Sequence, residues 1–518
     1  MPRAFLLALT LVSVLVAGCS KEMKQNRFQK LADQHFQAGR YDKAEIEYLR
    51  VLNLDRQNKH AVGRLAEIYY DQGRLPQAMA FLQEARKIDP ANFALRAKLG
   101  TLYVSARLHK KARQEALYVL AKKPASAQAL LVLVDAVNSA NELAETRQQL
   151  EKLKPQIENT ASFHLARAAL ALRQKDTNTA LTALQQAAAI DPKSGAVQGA
   201  LGQYYLRHND SAKAEQHLKA AAENAPPRSP WRLQYIDFKL AAGDHAFAKR
   251  ALEEITAQAP DLIPAWIRLA KLAQLEKRPE DFAKIIQKVL LRDHSNYEAL
   301  VLDAQHRLAA GETAKAVAEL ERLVQYYPKL APAHYELALG HLRNNDLNKA
   351  IASLNQAVAF DPDLPEPTLL LAELNLRKND PAAAIITLNR FLKNQPQIPQ
   401  AYLLLAAAHR LRNDLPESVA VYRRLIERFP QNPQPQVLLG LACREQKQTN
   451  EARLCFEKAL QLNPDYLPAV EQLVLLEVEQ QQIPQATARA QALVEKLPQA
   501  PEPLLLLAGI YKTQTNFA

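Results

Sequence analysis

Glycine is scarce in this chain: 13 residues of 518, against about 7% in an average protein. Doubly wound sheets, sandwiches and propellers draw on glycine for their turns, so those folds fall away first. Methionine (3), cysteine (3) and tryptophan (2) are rarer still. Three cysteines build no disulfide framework, so packing must hold the fold. No stretch approaches eighteen uninterrupted apolar residues, so no transmembrane helix is expected. There is no Gly-rich phosphate loop, no H-E-x-x-H, no C-x-x-C and no G-x-S-x-G, and the 12 histidines are scattered. No catalytic residue, metal ligand or cofactor is therefore expected. What is abundant is alanine, leucine, glutamine, lysine and arginine, which favour helix. Hydrophobic residues at 48% and charged residues at 23% describe a globular chain.

The amino terminus is of a different kind. One arginine, Arg3, precedes an apolar run from Ala4 to Val16. The run is too short to span a bilayer but has the length of a secretory h-region. Next comes Val16-Ala17-Gly18-Cys19-Ser20, which resembles a bacterial lipobox. The resemblance implies a lipoprotein signal peptide over 1–18, diacylation of Cys19, and a lipidated tether over 19–24. An ordinary secretory signal with an incidental cysteine is the alternative. Serine rather than aspartate at position 20 implies the outer membrane and its periplasmic leaflet. Two or three acyl chains, at about 0.8 kcal/mol per buried methylene, hold firmly.

The rest of the chain is periodic. Asp89-Pro90, Asp191-Pro192, Asp361-Pro362 and Asn463-Pro464 are separated by multiples of 34 residues. Pro124, Pro226, Pro260, Pro328, Pro396, Pro430 and Pro498 keep the same phase. Twelve residues before these prolines stands a small residue: Ala78, Ala112, Ala180, Ala214, Ala248, Ala316, Ala350, Ala384, Ala452 and Ala486. Leu-Ala or Leu-Gly pairs recur near the start of each period, as at Leu65-Ala66, Leu201-Gly202 and Leu439-Gly440. Apolar residues within a period recur at three- and four-residue steps, the helical spacing. A small residue lets two helices cross closely, and proline ends the second helix and opens the next turn. One such pair cannot bury its faces alone, so neighbours must stack.

The pattern resembles the tetratricopeptide repeat (TPR), a 34-residue helix-turn-helix, most faithfully over Lys59 to Asn92. The resemblance implies an all-α fold, an α-solenoid wound as a right-handed superhelix. About fourteen repeats are expected over 25–500, with an incomplete fifteenth over 501–518. The fourth departs at Thr146 and lacks its proline; the eighth has Phe282 and His294 at those places. His35, His341 and His409 fall where the family often has tyrosine, and read as packing substitutes. The apolar helix after Pro501 reads as the end of a shortened version of a longer relative, or as a surface that a partner covers. Cys443 and Cys455 fall on two antiparallel helices of one repeat; an exported chain permits a bridge between them, and two buried thiols are the other reading.

In this family ligands lie along the concave surface formed by the first helix of each repeat. The positions facing inward include Leu240, Leu308, Leu342, Leu376 and Arg410, and beside them Arg173, Arg207, Arg343 and Arg377. An aliphatic stripe beside spaced arginines would suit an acidic extended peptide or an anionic glycan. The alternative is that the leucines are core and the arginines simply solvated. A formal charge of +12 speeds association with acidic partners without choosing one, and an exported chain meets no nucleic acid. Lipobox and repeats together resemble the TPR lipoproteins of PEP-CTERM and exopolysaccharide systems, and the scaffolds of alginate- and cellulose-type secretion. That resemblance implies a non-enzymatic, membrane-anchored scaffold binding the proteins of an envelope export or assembly machine. Direct binding of an anionic polysaccharide, or assembly of outer-membrane proteins or pili, are the alternatives.

Overall fold

The computed structural model describes residues 21–223, 225–497 and 499–515. The lipobox with Cys19, Pro498 and Asn516-Phe517-Ala518 lie outside the described residues. Among those described, helices alternate with short turns and there is no strand. The fold is an all-α solenoid. A first helix over 21–37 leads into Tyr41–Leu54. Thereafter each repeat supplies an A helix and a B helix, as in Lys59–Gln72 with Leu75–Ile88, or Gly195–Arg207 with Ser211–Glu223. Later A helices open at Ile263, Ala331, Pro365, Pro399 and Leu467, in the 34-residue phase.

Local chemistry sets these boundaries. Asn58, Asn92, Asp176, Asp244, Asp346 and Asp380 each accept a backbone N–H of the first helical turn through their side chain. That removes an orphan donor and is worth about 1 kcal/mol per cap. Proline sits in the first turn of the A helices opening at Ile263, Ala331, Pro365 and Pro399, where its missing N–H costs nothing. The A–B turn needs one residue in the left-handed region. Gly39, Gly73, Gly243 and Gly311 supply it in four repeats; Asn209, Asn345, Asn379 and Asn413 do so in four others. Asparagine tolerates that conformation better than most side chains.

The periodic small residues lie at the crossing of the two helices. Ala78, Ala112, Ala180, Ala214, Ala248, Ala316, Ala350, Ala384, Ala452 and Ala486 are all fully buried. The two departures are absorbed locally. In the fourth repeat the A helix is short, Ala127–Asp135, and the B helix runs on over Ala140–Ile157 with Pro155 inside it. Thr146 is buried there and accepts from Arg113 Nη1 at 2.7 Å. In the eighth, Phe282 is fully buried against Ile267, Ala270 and Ala273, so alanines on the facing helix make room. His294 stands at the proline position, and the turn is held by the preceding Asp293, whose carboxylate accepts from Ser295 and Asn296.

By its internal contacts the chain divides into two compact bodies, Met1–Leu302 and Asp303–Ala518. The first body is held together by more than its nearest-neighbour repeats. Its turns hydrogen-bond across 189, 216 and 250 residues of sequence, so it is more than a string of nearest neighbours.

Candidate functional site

In the first body, A helices of repeats four to seven line one open cavity of about 470 Å³. Leu131, Leu165, Ala168 and Leu172 form one wall, and Ala196, Gly199 and Ala200 the next. Trp231, at the start of helix Pro230–Ala241, lies along the glycine face of Gly195–Arg207. A Cβ at Gly195 would stand 2.6 Å from Trp231 Cδ1, and one at Gly199 2.7 Å from its ring carbons. Two glycines one helical turn apart are what allow an indole to lie flat on that helix.

The polar groups of the cavity are few and have distinct fates. Arg173 donates to the carbonyls of Asp135 at 2.9 Å and Val137 at 3.1 Å, closing the end of the short fourth A helix. Arg207 lies at the rim, exposed. Gln203 lines the wall, and Gln234 Oε1 is buried with no hydrogen-bond partner among the described residues. An unsatisfied buried acceptor costs about 1–3 kcal/mol, a cost removed when the Gln234 side chain turns its oxygen out to an N–H in the cavity. The cavity thus offers an apolar slot, an indole, an unpaired acceptor and a rim cation.

Three family models described as tetratricopeptide repeat match the chain at 35–102 and 171–234, at 302–365 and 369–433, and at 434–466. Together they cover more than half of it. The chain belongs to the tetratricopeptide-repeat family. No curated protein sequence matches it. Among solved structures it is similar to the Naa15/Naa10 complex bound to HypK, at 15% identity and TM-score 0.39, covering 95% of this chain and 97% of the other. It is also similar to yeast Tom70, at 14% identity and TM-score 0.32, covering 96% of each chain. The MamA protein aligns at 21% identity and TM-score 0.29, over 32% of this chain and 91% of its own.

Within the TPR array, the residues singled out from sequence have varied surroundings. Leu240, Leu308, Leu342 and Leu376 are half-buried. Leu240, Leu342 and Leu376 each pack on a core cluster, so one side of each is core and the other faces outward. In the second body Arg410 pairs with Glu445, 35 residues on, and Arg444 repeats the step to Glu479. Arg377 pairs with Glu373 on its own helix at 2.7 Å. Arg343 is exposed. The expected row of arginines therefore divides into cations paired to a neighbouring repeat, as Arg410 is, or within their own helix, as Arg377 is, and the exposed Arg207 in the first body and Arg343 in the second. Cys443 and Cys455 are free, buried thiols. Burial raises both thiol pKa values, that of Cys455 to about 11.

Trp231, Gln203 and Gln234 escape the sequence reading because an isolated tryptophan or glutamine carries no periodic signal. Gly195 and Gly199 do carry one: two glycines four residues apart in the middle of a glycine-poor chain mark a close approach. Among the described residues no group of three or more His, Cys, Asp or Glu side chains could hold a metal ion.

Proposed function

We propose that this protein is a non-enzymatic scaffold that binds extended segments of partner proteins on the concave face of its first body. The observation that carries this reading is the cavity of repeats four to seven, with Trp231 flat on the glycines and Gln234 Oε1 unpaired. An extended peptide suits it on three counts. A turn of the Gln234 side chain brings its amide oxygen to a backbone N–H of the peptide, apolar side chains fill the slot, and an acidic side chain meets Arg207. The lipobox supports an address on the periplasmic face of the outer membrane, through lipid on Cys19. Its partners would then be proteins of an envelope export or assembly machine, with exopolysaccharide export the system its combination of lipobox and repeats resembles.

A photoreactive phenylalanine at Gln203 tests the site in the native host, with the same residue at Gln287 on a B helix as control. Defined adducts from position 203 and not from 287, lost on Trp231→Ala, are expected; equal adducts at both positions overturn the reading. Radiolabelled palmitate tests the address: incorporation that is lost on Cys19→Ser is expected, and a chain that takes up none is not anchored as proposed.

A second reading, direct binding of an anionic polysaccharide, draws on the exposed Arg207 and Arg343 and the net charge of +12. It predicts affinity for acidic glycan that falls steeply with salt. Affinity that is insensitive to both salt and Arg343→Glu removes it.

A further inference from the structure

The first body closes on itself. Its A–B turns in repeats one and two meet the turns that join repeats six to nine. Arg228 Nη2 donates to Asp261 Oδ1 at 2.6 Å and to the Gly39 carbonyl at 3.3 Å. The Arg228 guanidinium lies 4.1 Å from the Tyr41 ring centroid. Gln72 Nε2 donates to the other oxygen of Asp261 at 3.1 Å. Arg292 pairs with Asp42 at 2.7 Å, and Gln77 donates to Asp293 at 3.4 Å. Gly73 comes so close to Pro264 that an added Cβ would lie 2.8 Å from the proline ring.

These contacts have the character of an interior. Gln72 is 1% exposed and Asp261 4%. Burial raises the Tyr41 hydroxyl to about 12, with Asp71 adding to it and Arg228 opposing. A buried carboxylate held by an arginine and an amide is a fixed point, because removing either partner strands a charge out of water. A row of nearest-neighbour repeats has no need of such groups at its turns; they are explained by the turn-to-turn contact itself.

We propose that repeats one to eight form a collar, latched turn to turn by Arg228, Asp261 and Gln72, which admits an extended polypeptide end-on to the concave cavity and excludes a folded domain from the side. This rests on the concave face being the binding surface, but the latch and the access it controls are measured without any natural ligand. The geometry is a consequence of connectivity. In this arrangement the cavity lined by the A helices of repeats four to seven opens toward the inside of the circuit, and lateral entry requires the latch to part; both are part of the proposal that the labelling below tests. A chain terminus or an unfolded loop fits such an opening, and a globular surface does not.

The turn residues supply a matched pair of variants. Asparagine occupies the Gly73 turn position in four other repeats at φ between 56° and 59°, so Gly73→Asn keeps the backbone and drives a side chain into Pro264. Gly243→Asn makes the same change where nothing lies within 4 Å. Hydrogen exchange on the full chain reads the latch. Gly73→Asn and Asp261→Ala are expected to speed exchange both around 72–78 and, far away in sequence, around 260–266, by about tenfold or more; Gly243→Asn is expected to leave both stretches unchanged. If Gly73→Asn and Gly243→Asn behave alike, the latch does not exist. Access is read at an introduced thiol, Gln203→Cys, with one maleimide carried either on a short unstructured peptide or on a folded domain. The peptide is expected to label far faster than the domain, and Gly73→Asn to abolish the difference. Equal labelling by both reagents in the latched protein overturns end-on entry.

Discussion

Gly440→Ala tests how closely the two helices of a repeat cross. Gly440 stands on helix Gln434–Glu445 directly over the edge of Phe456, which is fully buried on Thr449–Leu462. A Cβ at 440 would lie 2.8 Å from Phe456 Cδ1 and 2.9 Å from its Cζ. Carbon atoms need more than about 3.5 Å, so the ring must move in a site whose neighbours include the buried Ala442, Ala452 and Ala459. Overpacking of this kind costs about 1–3 kcal/mol. The gain of helix propensity on replacing glycine offsets about 1 kcal/mol of it. A net loss of up to about 2 kcal/mol is expected. Phe456→Leu alone loses about 1–2 kcal/mol through a smaller buried side chain. In the double variant the new methyl group occupies the space the ring leaves, so the losses should not add; a coupling of about 1 kcal/mol or more is expected. A long repeat array does not unfold in one step, so a melting temperature is the wrong readout. Native-state hydrogen exchange over 434–462 measures the local opening, with a tenfold rate change for about 1.4 kcal/mol. Losses that add within about 0.5 kcal/mol, or a Gly440→Ala protein more stable than wild type, would refute the close crossing.

The ion pairs, the thiols and the cavity carry further expectations. Glu115 is almost fully buried and accepts from Arg86 at 2.9 Å and Arg96 at 2.8 Å, so Glu115→Ala should cost about 3 kcal/mol locally. Glu84→Ala, which removes an exposed pair with Lys87, should cost under about 0.5 kcal/mol; similar exchange rates in the two variants would count against the difference in burial. Burial holds both thiols protonated, Cys455 up to about 11, so iodoacetamide at pH 8 should modify neither cysteine in the native chain and both in urea. A thiol pKa raised by folding stabilises below the ordinary thiol value and loses that contribution as pH climbs through the folded value. Exchange protection over 434–462 should therefore fall between about pH 9 and 11, and protection that is flat across that window contradicts the burial. Arg207→Glu should weaken an acidic peptide about tenfold or more at low salt and spare a neutral peptide of the same apolar residues; isothermal titration with both peptides decides this, and equal losses would mean that the substitution damages the cavity rather than its charge.

Much of the fold was legible in the sequence, because each TPR hairpin is a local object. Proline marks where a B helix must stop, alanine marks where two helices must touch, and Asn or Asp caps the next helix. These depend on backbone and side-chain chemistry within a few dozen residues, and a 34-residue phase repeats them. The fully buried alanines and the A helices opening at Lys59, Ala161 and Ala331 sit where that phase puts them. The site was legible only in part. Arg173 and Arg207 line the cavity, whereas Arg410 pairs with Glu445 in the next repeat. Spacing places a side chain on a face but says nothing of which neighbour its charge will find.

By itself the sequence determined the repeat, its boundaries and its buried seam, and its resemblance to a lipobox is what the proposed address rests on. Only tertiary structure decided that Trp231 lies flat on Gly195 and Gly199, and that Gln72 and the Gly39 carbonyl meet Asp261 and Arg228 across 189 residues of sequence. The reason is cumulative rotation. Each repeat turns slightly on the one before, and no single repeat records the sum. After 189 residues that sum brings one turn onto another, and a small change per repeat would have carried them past each other.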